Sequence, residues 1–495
     1  MTDPAPDAGA SPVTAAVARR PFSVGGRFAR WEWPALAAVA LVYLVVVLLA
    51  LRRGPPLGWD ESVYSLRARD FADGSAPRVY WNAFRAPGLP WLLHLLWGAG
   101  SHPAVFRLVV AGFGLGLIAV TWLLTRHLFG PRAAVVAAGG VALTPPLVLA
   151  ATQVWPDVPG AAAGLLAIAL FVFATGGERP SWWMTALVPA AAAATFLRYG
   201  APLPIAVGLM VVAVWRRRVL LRRPVPVIVT ALAAAAAVVA VLIVPRLTGA
   251  ASSPLGAITG LNRGWFSGFA DYAELADQVA GPAAVVLALA GAVAAFGWAN
   301  REGLDRGALI AILTTGLATT VGLALALHGE VRYLAPAYPW LWVAGAPGLE
   351  RLARAVPRAV RPATIGVVVL ALTAAMVGTA RQRNRDAGSQ HTTVRRAAEL
   401  IADQAAGSPC LVVTGRVPQV MWYSGCEAAL FDLKRVRLPA PPDRAVFMLL
   451  IGGFGDQPEG ALLDGYRAAA GEPDFVIESG RGATIYLVGE PTTGG

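Results

Sequence analysis

PALAAVALVYLVVVLLALRRGPPLGWDESVY, residues 34–64, decides the fold. Residues 34–51 carry no charge. A bilayer core about 30 Å thick takes about 20 helical residues at 1.5 Å each, so this run reads as a membrane span. Arg52 and Arg53 end it, and Gly54-Pro55-Pro56 cannot continue a helix. Directly afterwards Gly58-Trp59-Asp60-Glu61-Ser62-Val63-Tyr64 sets two adjacent carboxylates at the membrane surface. Such a pair can serve as a general base and as cation ligands. Acidic residues are also favoured in the first turn of any helix, whose dipole they complement.

The rest of the chain extends this reading. Of its 495 residues, 56% are hydrophobic and 14% charged, against about 25% charged in soluble domains. Mean hydropathy is +0.59. These values exclude a disordered chain and argue against a cytosolic enzyme. The net charge is +12, and Lys434 is the only lysine among the basic residues. Such a balance would ordinarily suggest nucleic acid. Residues 381–495, however, hold 12 basic and 13 acidic residues, so the excess lies entirely in the apolar part. Eleven candidate spans follow: 34–51, 104–126, 133–151, 157–175, 182–197, 199–215, 225–245, 282–299, 307–327, 333–349 and 362–380.

Arginines cluster in alternate connections, from Arg27 and Arg30 through Arg126 and Arg132, Arg216–Arg218, and Arg351–Arg361. Positive loops stay inside, which puts the N-terminus in the cytoplasm and the C-terminal part outside. Residues 1–30 form a Pro/Ala-rich disordered cytoplasmic tail, 31–380 the membrane domain, and 381–495 an extracytoplasmic domain. The outer loop 52–107 breaks the rule with seven arginines, which suggests an anionic ligand. Its stretch 88–98, GLPWLLHLLWG, is too short to span and reads as an interfacial helix. His94 within it reads as an interfacial histidine rather than a ligand.

The C-terminal part has the pattern of a small α/β domain. Residues 392–406 read as an amphipathic helix, 410–415, 445–452, 474–479 and 484–489 as strands, and 417–424 and 458–470 as helices. Both cysteines, Cys410 and Cys426, lie here. An exterior location permits a disulfide between them; the alternative is two buried thiols. The domain shows no catalytic cluster and reads as a lid or docking module.

Ionisable groups near the membrane need a reason to be there. Besides Asp60 and Glu61, three outer-face clusters stand out: Asn82 to Pro90 around Arg85, Gln153 to Pro159 around Asp157, and His328 to Pro336 around Arg332 and Tyr333. Arg198-Tyr199 is a second Arg-Tyr pair. Each arginine can hold a phosphate or anchor at headgroups, and Asp157 can be a plain helix cap. His328 and Glu330 are too few to make a metal motif.

The order Trp59-Asp60-Glu61, Arg85-Ala86-Pro87-Gly88-Leu89-Pro90, Pro156-Asp157 and Arg332-Tyr333 with Pro336 and Pro339 resembles the GT-C superfamily of polytopic glycosyltransferases. The similarity is greatest to lipid A aminoarabinose transferases and protein O-mannosyltransferases. It covers the layout of about residues 30–350, with specific matches in those short blocks alone. The resemblance implies a polyprenyl-phosphate sugar donor and an inverting displacement onto an extracytoplasmic lipid, glycan or protein acceptor. It implies Asp60 as catalytic base, with Glu61 and Asp157 as further catalytic acids. Arg85, Arg198, Arg332 and Tyr333 would bind the donor phosphate. Asp60, Glu61 and Asp157 are also the candidate ligands for a divalent metal (Mg, Mn or Ca). Arginine-for-lysine usage with abundant Ala, Gly and Pro points to a GC-rich bacterial genome, hence to a plasma membrane and a cell-envelope acceptor.

Two other classes compete. A transporter or flippase for a lipid-linked anion would use the same arginines, yet transporters place charges mid-span and show repeats; neither is evident. A scaffold that binds a partner through its exterior domain would leave the loop carboxylates dispensable. Nucleic acid drops out once most arginines are assigned to topology.

Overall fold

In lipid every backbone N–H and C=O must be bonded within its own segment, and the apolar runs of this chain are accordingly helical. The computed structural model describes residues 30–52, 54–75, 85–97, 102–247, 267–275, 282–299, 305–326, 329–439, 441, 443–452, 457–478 and 482–489. The disordered tail expected over 1–30 lies, up to residue 29, outside them.

The helices are α1 (Glu32–Leu51), α2 (Trp59–Ala72), α3 (Gly88–His94), α4 (Pro103–Phe129), α5 (Pro131–Ala142), α6 (Pro145–Ala151) and α7 (Asp157–Ala174). They continue with α8 (Leu187–Leu197), α9 (Pro202–Leu220), α10 (Pro224–Leu247), α11 (Ser267–Glu274), α12 (Pro282–Trp298), α13 (Arg306–Ala326), α14 (Tyr338–Ala355) and α15 (Arg361–Ala405). Short 3-10 turns at Trp182–Ala186 and Val331–Leu334 precede α8 and α14.

Among the described residues five helices (α1, α4, α7, α13 and the first part of α15) are long and apolar enough to cross a bilayer, or six if the α5–α6 pair is one broken span. Eleven expected spans thus become eleven largely helical stretches, but not eleven demonstrated crossings. The expected span 133–151 is bent by 62°. It breaks at Leu143-Thr144, ahead of two prolines, where Trp342 Nε1 donates to Thr144 Oγ1 at 2.8 Å. Helix α9 ends in Arg216, Arg217 and Arg218, and α14 ends in Glu350, Arg351 and Arg354, which takes both out of the purely apolar class. The stretch 182–197 is a 3-10 turn joined to 11 residues of α8.

Packing in the membrane body depends on small residues, because lipid offers no hydrophobic drive between helices. Ala288, Gly291 and Ala295 of α12 lie against Gly345 and Gly348 of α14; a Cβ on Gly348 would come within 2.7 Å of the Ala295 nitrogen. Hydroxyls of Thr121, Thr125, Thr195 and Thr315 donate to carbonyls four residues back, at 2.7 to 2.8 Å, so these four buried hydroxyls are satisfied within their own helices. Between α1 and α4, Tyr43 donates to the Ala111 carbonyl at 3.1 Å.

Helix α15 has 45 residues. The boundary expected at 380 falls inside it, and the helix expected at 392–406 is its last part. Its first half exposes Ile365, Val367, Val368 and Leu370, as a lipid-facing helix does. Its far end buries Val394, Ala397, Ala398 and Ile401 in the core of the C-terminal domain. That domain contains β1 (Cys410–Thr414), α16 (Val417–Ser424), β2 (Glu427–Ala429), β3 (Ala445–Ile451), α17 (Gly460–Ala470), β4 (Phe475–Ile477) and β5 (Ala483–Gly489). The sheet order is β2-β1-β3-β5-β4. The first three strands are parallel, and β5 runs antiparallel to β3 and β4. Every residue of β3 is buried, as its unbroken apolar run AVFMLLI requires of a strand covered on both faces. Strand β2 has three residues, Glu427–Ala429, and no apolar alternation announces it.

Candidate active site

Two prolines, Pro55 and Pro56, hold the chain extended after α1, and Gly58 begins α2. Asp60 and Glu61 occupy the second and third positions of that helix, where its positive end favours carboxylates. Adjacent residues on a helix point about 100° apart, and the two side chains enter different surroundings.

Glu61 is 3% exposed. Its Oε1 accepts from Arg107 Nε at 2.8 Å and from the Val154 N–H at 2.9 Å. Its Oε2 accepts from Arg107 Nη2 at 2.8 Å and from the Gly58 N–H at 3.0 Å. The bidentate pair ties α2 to α4, and the Val154 bond ties it to the turn before α7. Four donors saturate this carboxylate.

Asp60 faces two cations from distant segments. Arg85, just before α3, pairs with Oδ1. Arg332, in the turn before α14, pairs with Oδ2 at 2.7 Å. Burial alone would raise the Asp60 pKa; Arg332 and Arg85 outweigh it and hold the group at about 2. The Arg332 guanidinium lies 4.4 Å from the Trp155 ring and 5.3 Å from the Tyr333 ring, within cation–π range. Beside this group, Asp157 at the start of α7 pairs with Arg198 at the end of α8 at 2.8 Å. The Arg198 guanidinium in turn lies 5.1 Å from the Tyr333 ring, and the Tyr333 hydroxyl donates to Glu330 at 3.3 Å.

Asp60, Arg85, Asp157, Arg198, Arg332 and Tyr333, dispersed over 274 positions of the sequence, are thus one cluster at one end of the helical body, with Glu61 directly behind it. His328 lies outside the described residues, as do Asn82 to Phe84. His94 packs on Trp91 and Phe71 instead. Trp155 and Tyr64 lie within the outer-face clusters around Asp157 and Asp60, and the sequence announces a role for neither. Tyr64, one turn along α2 from Asp60, has its ring 5.6 Å from the Arg85 guanidinium; helical spacing from Asp60 is the signal that could have found it.

The donor set does not fit a divalent metal as it stands. Among the described residues no three His, Cys, Asp or Glu side chains converge on one point. Glu61 has no free lone pair, and Asp60 and Asp157 each face guanidinium groups. What the arrangement can do is bind an anion by exchange: Arg85 and Arg332 share the partly exposed Asp60 carboxylate, and Arg332 also pairs with Glu330 at 2.5 Å.

The dolichyl-phosphate-mannose-protein mannosyltransferase family matches residues 85–244, about a third of the chain and beginning at Arg85. No curated protein matches the sequence. Among solved structures, ArnT from Cupriavidus metallidurans bound to undecaprenyl phosphate is similar with a TM-score of 0.63 at 17% identity, over 93% of this chain and 98% of that one. The archaeal oligosaccharyltransferase AglB from Archaeoglobus fulgidus, in complex with an inhibitory peptide and a dolichol-phosphate, gives 0.57 at 15% identity, over 81% of this chain and 64% of its own length. An Archaeoglobus fulgidus oligosaccharyltransferase in complex with Zn and sulfate gives 0.54 at 16% identity, over 78% of this chain and 62% of that one. At these identities the likeness is one of fold.

Proposed function

We propose that this chain, a multi-pass membrane protein with the fold of the GT-C glycosyltransferases, moves a sugar from a polyprenyl-phosphate donor to an extracytoplasmic acceptor with inversion. The acceptor class is a cell-envelope glycan, glycolipid or protein. The observation that carries the proposal is the position of Asp60 between Arg85 and Arg332. It joins an anion site and a proton acceptor at the head of one helix. Support comes from the undecaprenyl phosphate bound to ArnT on the same fold, and from the narrow apolar crevice beside Arg198, lined by Gly160, Gly164, Ile168, Pro204 and Leu323.

In this reading Asp60 keeps the place of the donor phosphate. When the donor arrives, its phosphate takes over Arg85 and Arg332, and the Asp60 carboxylate is released. The acceptor hydroxyl attacks the anomeric carbon from the face opposite the phosphate, and Asp60 takes its proton. The bond from that carbon to the phosphate oxygen breaks, and its electron pair leaves with the polyprenyl phosphate. That leaving group is a weak base, so it needs positive charge rather than a proton, and preorganised guanidinium groups supply it. Arg198 and Tyr333 flank the phosphate. Asp157 keeps Arg198 in place, and Glu61 keeps α2 in place. The arginine asymmetry supports a cytoplasmic N-terminus, with site and α/β domain on the outer side of a bacterial plasma membrane.

The test uses purified protein in nanodiscs with a polyprenyl-phosphate sugar and a cell-envelope extract as acceptor. Transfer or slow hydrolysis of the sugar is expected. Translocation of the lipid in vesicles with no release of sugar would sink the transferase reading.

A further inference from the structure

The residue that leads into the catalytic helix is held by the other domain. Leu57, three positions before Asp60, is fully buried. Its N–H donates to the Tyr423 hydroxyl at 2.6 Å, and its carbonyl accepts from Gln419 Nε2 at 3.1 Å. Gln419 and Tyr423 stand four residues apart on α16, hence on one face of it. The segment 54–58 belongs to no helix or strand, and prolines at 55 and 56 have no N–H to offer, so α16 supplies the bonds that this backbone lacks. The site's structural network adds two more bonds, in which Pro55 C=O accepts from Arg107 Nη1 at 2.9 Å and Gly58 N–H donates to Glu61 at 3.0 Å. The ends of the segment bond to the flanking helices, through Gly54 N–H to the Leu51 carbonyl and Ser62 N–H to the Gly58 carbonyl.

Four further observations place α16 as a brace. Val417 and Met421 pack on Leu66 of α2, one cluster across the domain junction. The Trp422 ring meets the Trp97 ring edge-on at 6.0 Å. His391 of α15 lies behind the joint, its Nδ1 3.0 Å from Gln419 Nε2. That amide nitrogen donates to Leu57, so the ring nitrogen facing it is the acceptor and the imidazole is neutral. Burial pushes His391 downward in the same sense, against the pull of Glu61. A Cβ at Gly58 would sit 3.3 Å from His391 Nε2, so the helix start and the imidazole are in close approach. Finally, Cys410 and Cys426 lie on either side of α16 and are joined in a disulfide, with Cα atoms 4.9 Å apart.

We infer that α16 of the exterior domain sets the position of Asp60, with Gln419 and Tyr423 as positioning residues acting through the backbone of Leu57 and the Cys410–Cys426 bond holding α16 in that pose. The inference rests on the glycosyl-transfer reading for its kinetic arm. Neither residue touches donor or acceptor. The reason for such a brace is geometric: a catalytic group displaced by about 1 Å costs about 10²-fold in rate, and the first turn of a helix is the part that frays.

The experiment compares full-length wild type with Tyr423→Phe, Gln419→Leu and the double variant in nanodiscs. Each single variant is expected to lower kcat about tenfold, and the double variant about 10²-fold. KM for the polyprenyl-phosphate sugar should stay at the wild-type value, since Arg85 and Arg332 are intact. Reducing the wild-type disulfide with dithiothreitol should lower kcat alone in the same way, and reoxidation should restore it. Amide hydrogen exchange over residues 57–62 gives a second readout that needs no turnover: it should quicken in the double variant while α4 stays protected. Unchanged kcat with unchanged exchange overturns the inference, as does a fall in kcat accompanied by equal loss of donor binding and of folded protein. Wild-type protein that transfers no sugar counts against the glycosyltransferase reading instead, and the exchange measurement then decides the brace by itself.

Discussion

Asp60 and Glu61 are neighbours with the same functional group, on the same helical turn, each facing arginine. Glu61 has four donors arranged around two oxygens and almost no exposure. Asp60 has two guanidinium partners from mobile-length side chains, and its side chain is 19% exposed. The difference teaches how to tell a structural carboxylate from a reactive one. A carboxylate with every lone pair filled by fixed donors cannot exchange partners without unfolding something. A carboxylate whose partners are cations alone can surrender them to a stronger anion.

The sharpest way to break this comparison is Asp60→Asn. It should lower transfer by about 10² to 10⁴, the range for loss of a general base, while polyprenyl phosphate binds at least as tightly because its competitor is gone. Binding by surface plasmon resonance and turnover with labelled donor check both halves; full activity would remove Asp60 from the chemistry. Glu61→Gln should do the reverse. It leaves the Arg107 charge buried and uncompensated, at a cost of about 3–5 kcal/mol, read as a lowered unfolding midpoint with residual activity in whatever remains folded. A stable but inactive Glu61→Gln would make the two carboxylates partners in catalysis. Replacing Cys410 and Cys426 by serine should destabilise the C-terminal domain by about 3 kcal/mol, from the loop that the bond closes, as followed by limited proteolysis.

The smallest effect concerns pH. Asp60 is held at about 2 in the free protein, so it is ionised at every pH above that, and kcat/KM for the donor should stay level down through pH 4. Donor phosphate neutralises Arg85 and Arg332, which lets the Asp60 pKa rise. The acid fall of kcat, which reports the bound state, should therefore come at a higher pH than that of kcat/KM. Coincident limbs would mean that the donor does not take the arginines from Asp60.

Much of the site was legible because each cluster pairs a charge with Trp, Tyr or Pro beside an apolar run: Trp59-Asp60, Arg85-Ala-Pro, Pro156-Asp157, Arg332-Tyr333. The saturation of Glu61 was not, since its partners Arg107 and Val154 lie 46 and 93 residues away. The hold of Gln419 and Tyr423 on Leu57 spans 362 and 366 residues and has no local signature. Four of the five strands of the C-terminal domain were readable from their alternation and apolar runs, and β2 was not. The unity of α15 was hidden by the polar stretch Arg381 to Gln390, which reads as a linker yet stays helical. Among the described residues eleven crossings are not demonstrated, because Trp182–Leu197, Pro224–Ala240 and Val285–Trp298 are short apolar helices and α9 and α14 each carry three charged residues near their ends.

At 1.5 Å per residue α15 is a rod about 68 Å long. One degree of tilt at its buried end moves the other end by about 1 Å. An apolar stretch adjusts its tilt to the thickness of the lipid around it. The C-terminal domain, which takes its core helix from the same rod, therefore rides at a height and angle that the surrounding lipid helps to choose.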